Sequence, residues 1–120
     1  SLFGKSKKCH TTNGIVCLSE KEYIITEYLI AHNIPFIKEM LYSEILSDPR
    51  CGQKRCDWYI NGYIVEYFGM PDKQSYQKRI EEKRQICHEN NVILIEIYEK
   101  DINRLDEIFK NILQGCVTTV

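Results

Sequence analysis

Asp57 and Glu66 stand on either side of Asn61-Gly62, each four residues from the nearer member of that pair. The flanking runs Cys56-Asp57-Trp58-Tyr59-Ile60 and Tyr63-Ile64-Val65-Glu66-Tyr67-Phe68 are aromatic and β-branched, so Asn-Gly between them predicts a two-residue type I′ hairpin. That turn pairs Ile60 with Tyr63, and counting outward places Asp57 opposite Glu66. Their Cβ atoms would lie about 5 Å apart on one face, where like charges destabilise a sheet unless something compensates. A divalent cation does so naturally. Mg²⁺ or Mn²⁺ takes hard oxygen ligands and needs only one or two protein carboxylates, with substrate phosphate completing its shell. The bland alternative, two carboxylates on a wet face, sits poorly beside Trp58, Tyr59, Ile64 and Phe68.

Lys83 is the second anomaly. At about 100° per residue from Tyr76, Ile80, Lys83 and Cys87 fall within about 40° of one line, so the lysine shares an apolar stripe. Such a lysine either snorkels outward or, aimed at a carboxylate pair and a phosphate, orients an attacking water and balances charge. The same arithmetic turns Glu22 inward with Ile25 and Leu29, although a capping box with Ser19 also explains a glutamate there. The six cysteines, Cys9, Cys17, Cys51, Cys56, Cys87 and Cys116, lack the short Cys-x-x-Cys spacing of structural zinc sites. Reduced thiols are expected, and structural zinc is disfavoured.

The elements that must position these residues follow from the pattern. Residues 1–18 read as a basic leader or linker, the stub of a larger protein. A helix is expected over 19–32, and a strand over Ile34–Leu41 with Pro35 near its start. A loop covers 43–54, and the hairpin follows. Gly69-Met70-Pro71-Asp72 breaks its second strand before an amphipathic helix from Ser75 to about Glu89. Val92-Ile93-Leu94-Ile95-Glu96-Ile97-Tyr98, the most apolar run, predicts an interior strand covered on both faces. A helix capped by Asp101 runs to about Leu113, and 116–120 form a tail. The fold class is α/β: order αβββαβα, a short mixed sheet flanked by helices.

Composition sets the outer limits. The 120 residues suit one domain, here 19–115, and 43% hydrophobic with 28% charged residues is ordinary for a globular chain. No run approaches the ~20 apolar residues of a membrane helix, and Ser1-Leu2-Phe3-Gly4-Lys5 carries no apolar signal core, so an intracellular, cytoplasmic setting without membrane is expected. A net charge of −1 supplies no global field for nucleic acid, so a polyanion must be held locally or by another module.

The helix Glu22, Asp57 in Arg55-Cys56-Asp57, Glu66-Tyr67-Phe68-Gly69, Tyr76 and Lys83 together resemble the PD-(D/E)XK nuclease superfamily over residues 19–110. More narrowly, the chain resembles patch-repair (Vsr-like) and phage homing endonuclease catalytic domains and the nuclease-like domains of helicase IV proteins. Cys56 stands where the motif has proline. Phe68 stands where the motif lysine would follow Glu66, and the family's habit of carrying that lysine on the next helix makes it Lys83. The resemblance implies a restriction-endonuclease-like core and Mg²⁺-dependent (or Mn²⁺-dependent) hydrolysis of DNA. Asp57, Glu66 and the main-chain carbonyl of Tyr67 would hold the metal, Glu22 and Lys83 completing the catalytic set. Lys54, Arg55, Lys78 and Arg79 become candidates for phosphate contacts, with a solvated charged face as the alternative. Tyr76 either packs or bridges to substrate. Partners would be DNA and a fused DNA-binding or helicase module. The rivals are a non-catalytic nuclease-fold module that binds nucleic acid or protein, and a small-molecule enzyme, for which no Gly-rich phosphate loop is present.

Overall fold

The computed structural model describes residues 9–11, 13–17, 19–69 and 74–117. The chain divides into two compact units, Ser1–Pro35 with Lys100–Val120, and Phe36–Glu99.

The first unit opens with a small antiparallel ribbon of β1 (Cys9–His10) and β2 (Val16–Cys17). This part of the expected leader is therefore ordered, the Thr11 hydroxyl accepting from the Ile15 amide at 3.0 Å; residues 1–8 of that leader lie outside the described residues. Helix α1 (Glu20–Ala31) starts as its sequence predicts: extended Ser19 places its hydroxyl to accept from the Glu22 amide at 3.2 Å. Asn33, in the left-handed region at φ 55°, ends it. A 3₁₀ segment, Glu99–Arg104, precedes α3 (Leu105–Val117). Asp101, expected to cap that helix, is instead buried within the 3₁₀ turn, where its carboxylate accepts from Arg104 Nε at 3.0 Å. Leu105, Phe109 and Ile112 are buried, as their spacing requires. The Tyr28 ring stacks on Phe109 at 5.6 Å and joins α1 to α3. The helix runs past the expected end, so 116 and 117 are helical, and the rest of the expected tail, 118–120, lies outside the described residues.

The second unit carries a four-stranded mixed sheet in the order β3 (Ile37–Lys38), β4 (Trp58–Ile60), β5 (Tyr63–Gly69), β6 (Leu94–Tyr98), and α2 (Gln74–Glu89) crosses between β5 and β6. The chain is thus α/β, with one small mixed sheet of four strands and three α-helices among the described residues. β3, β4 and β5 are antiparallel, and β5 and β6 are parallel. The β4–β5 hairpin has the expected register, Ile60↔Tyr63, Tyr59↔Ile64 and Trp58↔Val65. Asn61 at φ 52° and Gly62 at φ 87° supply the two left-handed positions of a type I′ turn.

Three expectations change. The strand expected over 34–41 shortens to two residues, since Pro35 has no N–H to donate and Glu39 takes a left-handed backbone (φ 56°) before Leu41 bridges to Arg55. The 43–54 loop contains two 3₁₀ turns, Tyr42–Glu44 and Pro49–Cys51, the latter capped by the Asp48 carboxylate on the Arg50 amide. β6, expected as an interior strand, pairs with β5 alone among the described residues and buries only Ile97 of its five. The interior strands are β4 and β5, and on β5 Ile64, Val65, Glu66 and Phe68 are all buried. Tyr42, Cys51, Cys56, Ile64, Ile86 and Cys87 form the core beneath α2.

Candidate functional site

Alternation along β5 puts Glu66 on the same face as Ile64 and Phe68, the face that α2 covers. That placement buries a carboxylate to 2% exposure. An isolated buried charge would be costly, and the surroundings answer it with three donors. Glu66 Oε2 accepts from the Tyr42 hydroxyl at 2.6 Å and from Lys83 Nζ at 2.6 Å, and Oε1 accepts from the Asp57 amide at 3.2 Å. The Lys83 ammonium also donates to the Arg55 carbonyl at 3.2 Å and lies 5.4 Å from the Tyr42 ring centroid. Lys83 therefore points inward on the Tyr76, Ile80, Cys87 stripe, with Ile80 and Cys87 both buried.

Asp57 lies just beyond the last ladder pair, Trp58↔Val65. Side chains and amides replace the ladder there: the Asp57 amide donates to Glu66, and the Tyr67 amide donates to Asp57 Oδ2 at 2.7 Å. The two acids are neighbours, each held by the other strand's backbone. Their charge is felt nearby. Desolvation, reinforced by Glu66 and Asp57, pushes the Cys56 thiol up to about 12, and desolvation with Glu66 pushes Cys87 up to about 11. Burial, then Asp57 and Glu66, raises Tyr76. Burial and the adjoining Glu66 carboxylate hold Tyr42 far above the ordinary phenol range.

A cleft of about 390 Å³ opens over this pair, lined among others by Lys54, Tyr67, Tyr76, Arg79 and Lys83. Asp57, Glu66 and Phe68 also line it, so eight of the residues singled out above meet in one place. Lys54 donates to the Arg50 carbonyl at 2.9 Å and pairs with Glu82 at 2.5 Å. The Arg79 guanidinium lies 5.5 Å from the Tyr76 ring centroid. Arg55 turns its guanidinium to the Glu39 carbonyl, and Lys78 is exposed on α2; neither is among the lining residues. Glu22 belongs to α1 in the other unit. Phe68, at the position of the expected lysine, is buried and tilts against Tyr98 at 6.0 Å. Tyr42 was invisible in the sequence, because a tyrosine at the start of a loop carries no spacing that connects it to Glu66.

The donor set is two carboxylates, and no group of three His, Cys, Asp or Glu side chains suited to a metal occurs among the described residues. Two hard oxygen donors suit Mg²⁺ or Mn²⁺, which keep waters and bind substrate phosphate. Glu66 accepts three hydrogen bonds, one fewer than the about four lone-pair directions of a carboxylate, so its chemistry leaves room for a cation. Cys51, Cys56 and Cys87 are free thiols packed in the apolar core, and none of them lines the cleft.

Comparison of the chain with known protein families, curated proteins and solved structures finds no match.

Proposed function

We propose that this chain is a metal-dependent DNA endonuclease with a restriction-endonuclease-like core of the PD-(D/E)XK type, the catalytic part of a larger homing or repair protein. The observation that carries the proposal is the 2.6 Å contact of Lys83 Nζ with Glu66 Oε2 in a cleft that Asp57 also lines. Two acids and a lysine, from β5, from the residue before β4 and from the next helix, are the set that the family resemblance assigns to phosphodiester hydrolysis. Asp57 and Glu66, with the Tyr67 carbonyl, would hold Mg²⁺ or Mn²⁺, which supplies charge neutralisation at the phosphate and a more acidic water. Lys83 orients the nucleophile and balances the charge of the phosphate. The family resemblance assigns the helix-glutamate role to Glu22. Arg79, Lys54 and Tyr76 at the cleft, with Lys78 and Arg55 outside it, are the candidate contacts to DNA backbone. With a net charge of −1, they leave firm DNA binding to a fused DNA-binding or helicase module. The working compartment is the cytoplasm.

A second reading, a nuclease-fold module that binds without cutting, is favoured by Phe68 at the motif-lysine position and by the way Lys83 already neutralises Glu66. Incubation of supercoiled plasmid with the protein in Mg²⁺, Mn²⁺ or EDTA separates them. Nicking that needs metal and is lost in Asp57→Asn supports the enzyme. Retarded but intact plasmid supports the binding module, and neither retardation nor nicking overturns both.

A further inference from the structure

We infer that Tyr42 is a positioning residue for the catalytic pair, its hydroxyl fixing the Glu66 carboxylate and its ring seating the Lys83 ammonium; this rests on the catalytic reading above. Tyr42 is fully buried at 0% exposure, and the backbone holds it from both sides. Its amide donates to the Lys54 carbonyl at 2.9 Å, and its carbonyl accepts from the Ile45 and Leu46 amides at 2.9 and 3.0 Å. A ring so anchored cannot follow its partners, so the partners must follow it.

The geometry is a triangle. The phenol oxygen and Lys83 Nζ each lie 2.6 Å from Glu66 Oε2, while the ammonium sits 5.4 Å from the Tyr42 ring centroid. The terminal torsion of a glutamate is broad and soft when nothing holds it. Here a neutral donor and a cation converge on one oxygen, and rotation of the carboxylate would break both contacts together. The other oxygen is held only by the longer 3.2 Å contact from the Asp57 amide, so Oε1 is the atom more readily given to a ligand in the cleft. The ring face restrains the long Lys83 stem through a cation–π contact, and the Arg55 carbonyl takes another of its hydrogens. Tyr42 thus sets which Glu66 oxygen is committed and where the lysine charge stands, without itself lining the cleft.

Two variants separate the two functions of the side chain. Tyr42→Phe removes the hydroxyl and keeps the ring; Tyr42→Leu removes both. In Tyr42→Phe, the Glu66 carboxyl carbon resonance, assigned by its loss in Glu66→Gln, is expected to move. Plasmid nicking should lose about tenfold in kcat with KM within about twofold, as for one hydrogen bond to a charged group. In Tyr42→Leu, acylation of Lys83 by an amine-selective reagent, read by peptide mass mapping, should rise toward that of exposed Lys78 on the same helix. A Tyr42→Phe protein with the wild-type carboxyl resonance and wild-type kcat overturns the inference, since a role in packing alone moves neither. If the wild type cuts nothing, the catalytic reading fails, and resonance and acylation still decide whether Tyr42 holds the pair. If the leucine variant does not fold, the phenylalanine variant decides.

Discussion

Lys83→Met tests the ion pair directly, apart from any activity, because methionine keeps most of the aliphatic stem and deletes the charge. Glu66 is 2% exposed and Lys83 20% exposed at a separation of 2.6 Å, so the lysine is the counter-charge of a carboxylate with almost no access to water. Removing one partner of a buried pair costs about 3–5 kcal/mol. Lys83 keeps some solvent contact, and the Tyr42 hydroxyl and Asp57 amide still serve Glu66, which brings the expected loss to about 2–3 kcal/mol. For a chain of this size that is about 10 °C in Tm. In the Glu66→Gln background the uncompensated charge is gone, so adding Lys83→Met should cost about 1.5 kcal/mol less than it does in the wild type. Urea unfolding of the four proteins of this cycle, compared by midpoint at constant slope, measures it. A Lys83→Met midpoint within about 0.5 kcal/mol of wild type, or equal losses in the two backgrounds, would refute the account of Glu66 as a charge that Lys83 neutralises.

Two further expectations follow from the thiols and the turn. Folding raises Cys56 to about 12 and Cys87 to about 11, so the folded state keeps protons that the unfolded chain gives up from about pH 8.5. Stability is then full below that pH and falls as pH rises toward the folded values; urea midpoints that stay level from about pH 8 to 10.5 would contradict it, as would rapid labelling of native Cys56 or Cys87 by a disulfide reagent near neutrality. Gly62 has φ 87° and open space where a Cβ would sit. Gly62→Ala should therefore cost about 1–2 kcal/mol through backbone strain alone, and Gly62→Asn clearly less, since asparagine tolerates the left-handed region. Thermal melts that rank the two variants equally would show the turn is not type I′.

What the sequence determined by itself was whatever rests on short-range geometry. Asn61-Gly62 imposes a turn type and with it a register, which brought Asp57 and Glu66 together. Ser19 and Glu22 marked the start of α1 through an amide that needs an acceptor, and the 3.6-residue period of α2 turned Lys83 to the buried side. Each depends on dihedral preferences or on a repeat within one element, so neighbouring residues carry the information. The tertiary structure alone decided the rest. The apolar run at 92–98 says that a strand is buried, not how many strands flank it, and β6 proves to have one partner among the described residues. The 34–41 strand was broken by the left-handed backbone of Glu39, beyond which Leu41 bridges to Arg55. Register opposed two like charges and left the compensation open; packing supplied it within the protein, with Lys83 from a helix and Tyr42 from a loop meeting on one Glu66 oxygen. Three segments distant in sequence converge there, and no periodicity within any one of them encodes that meeting.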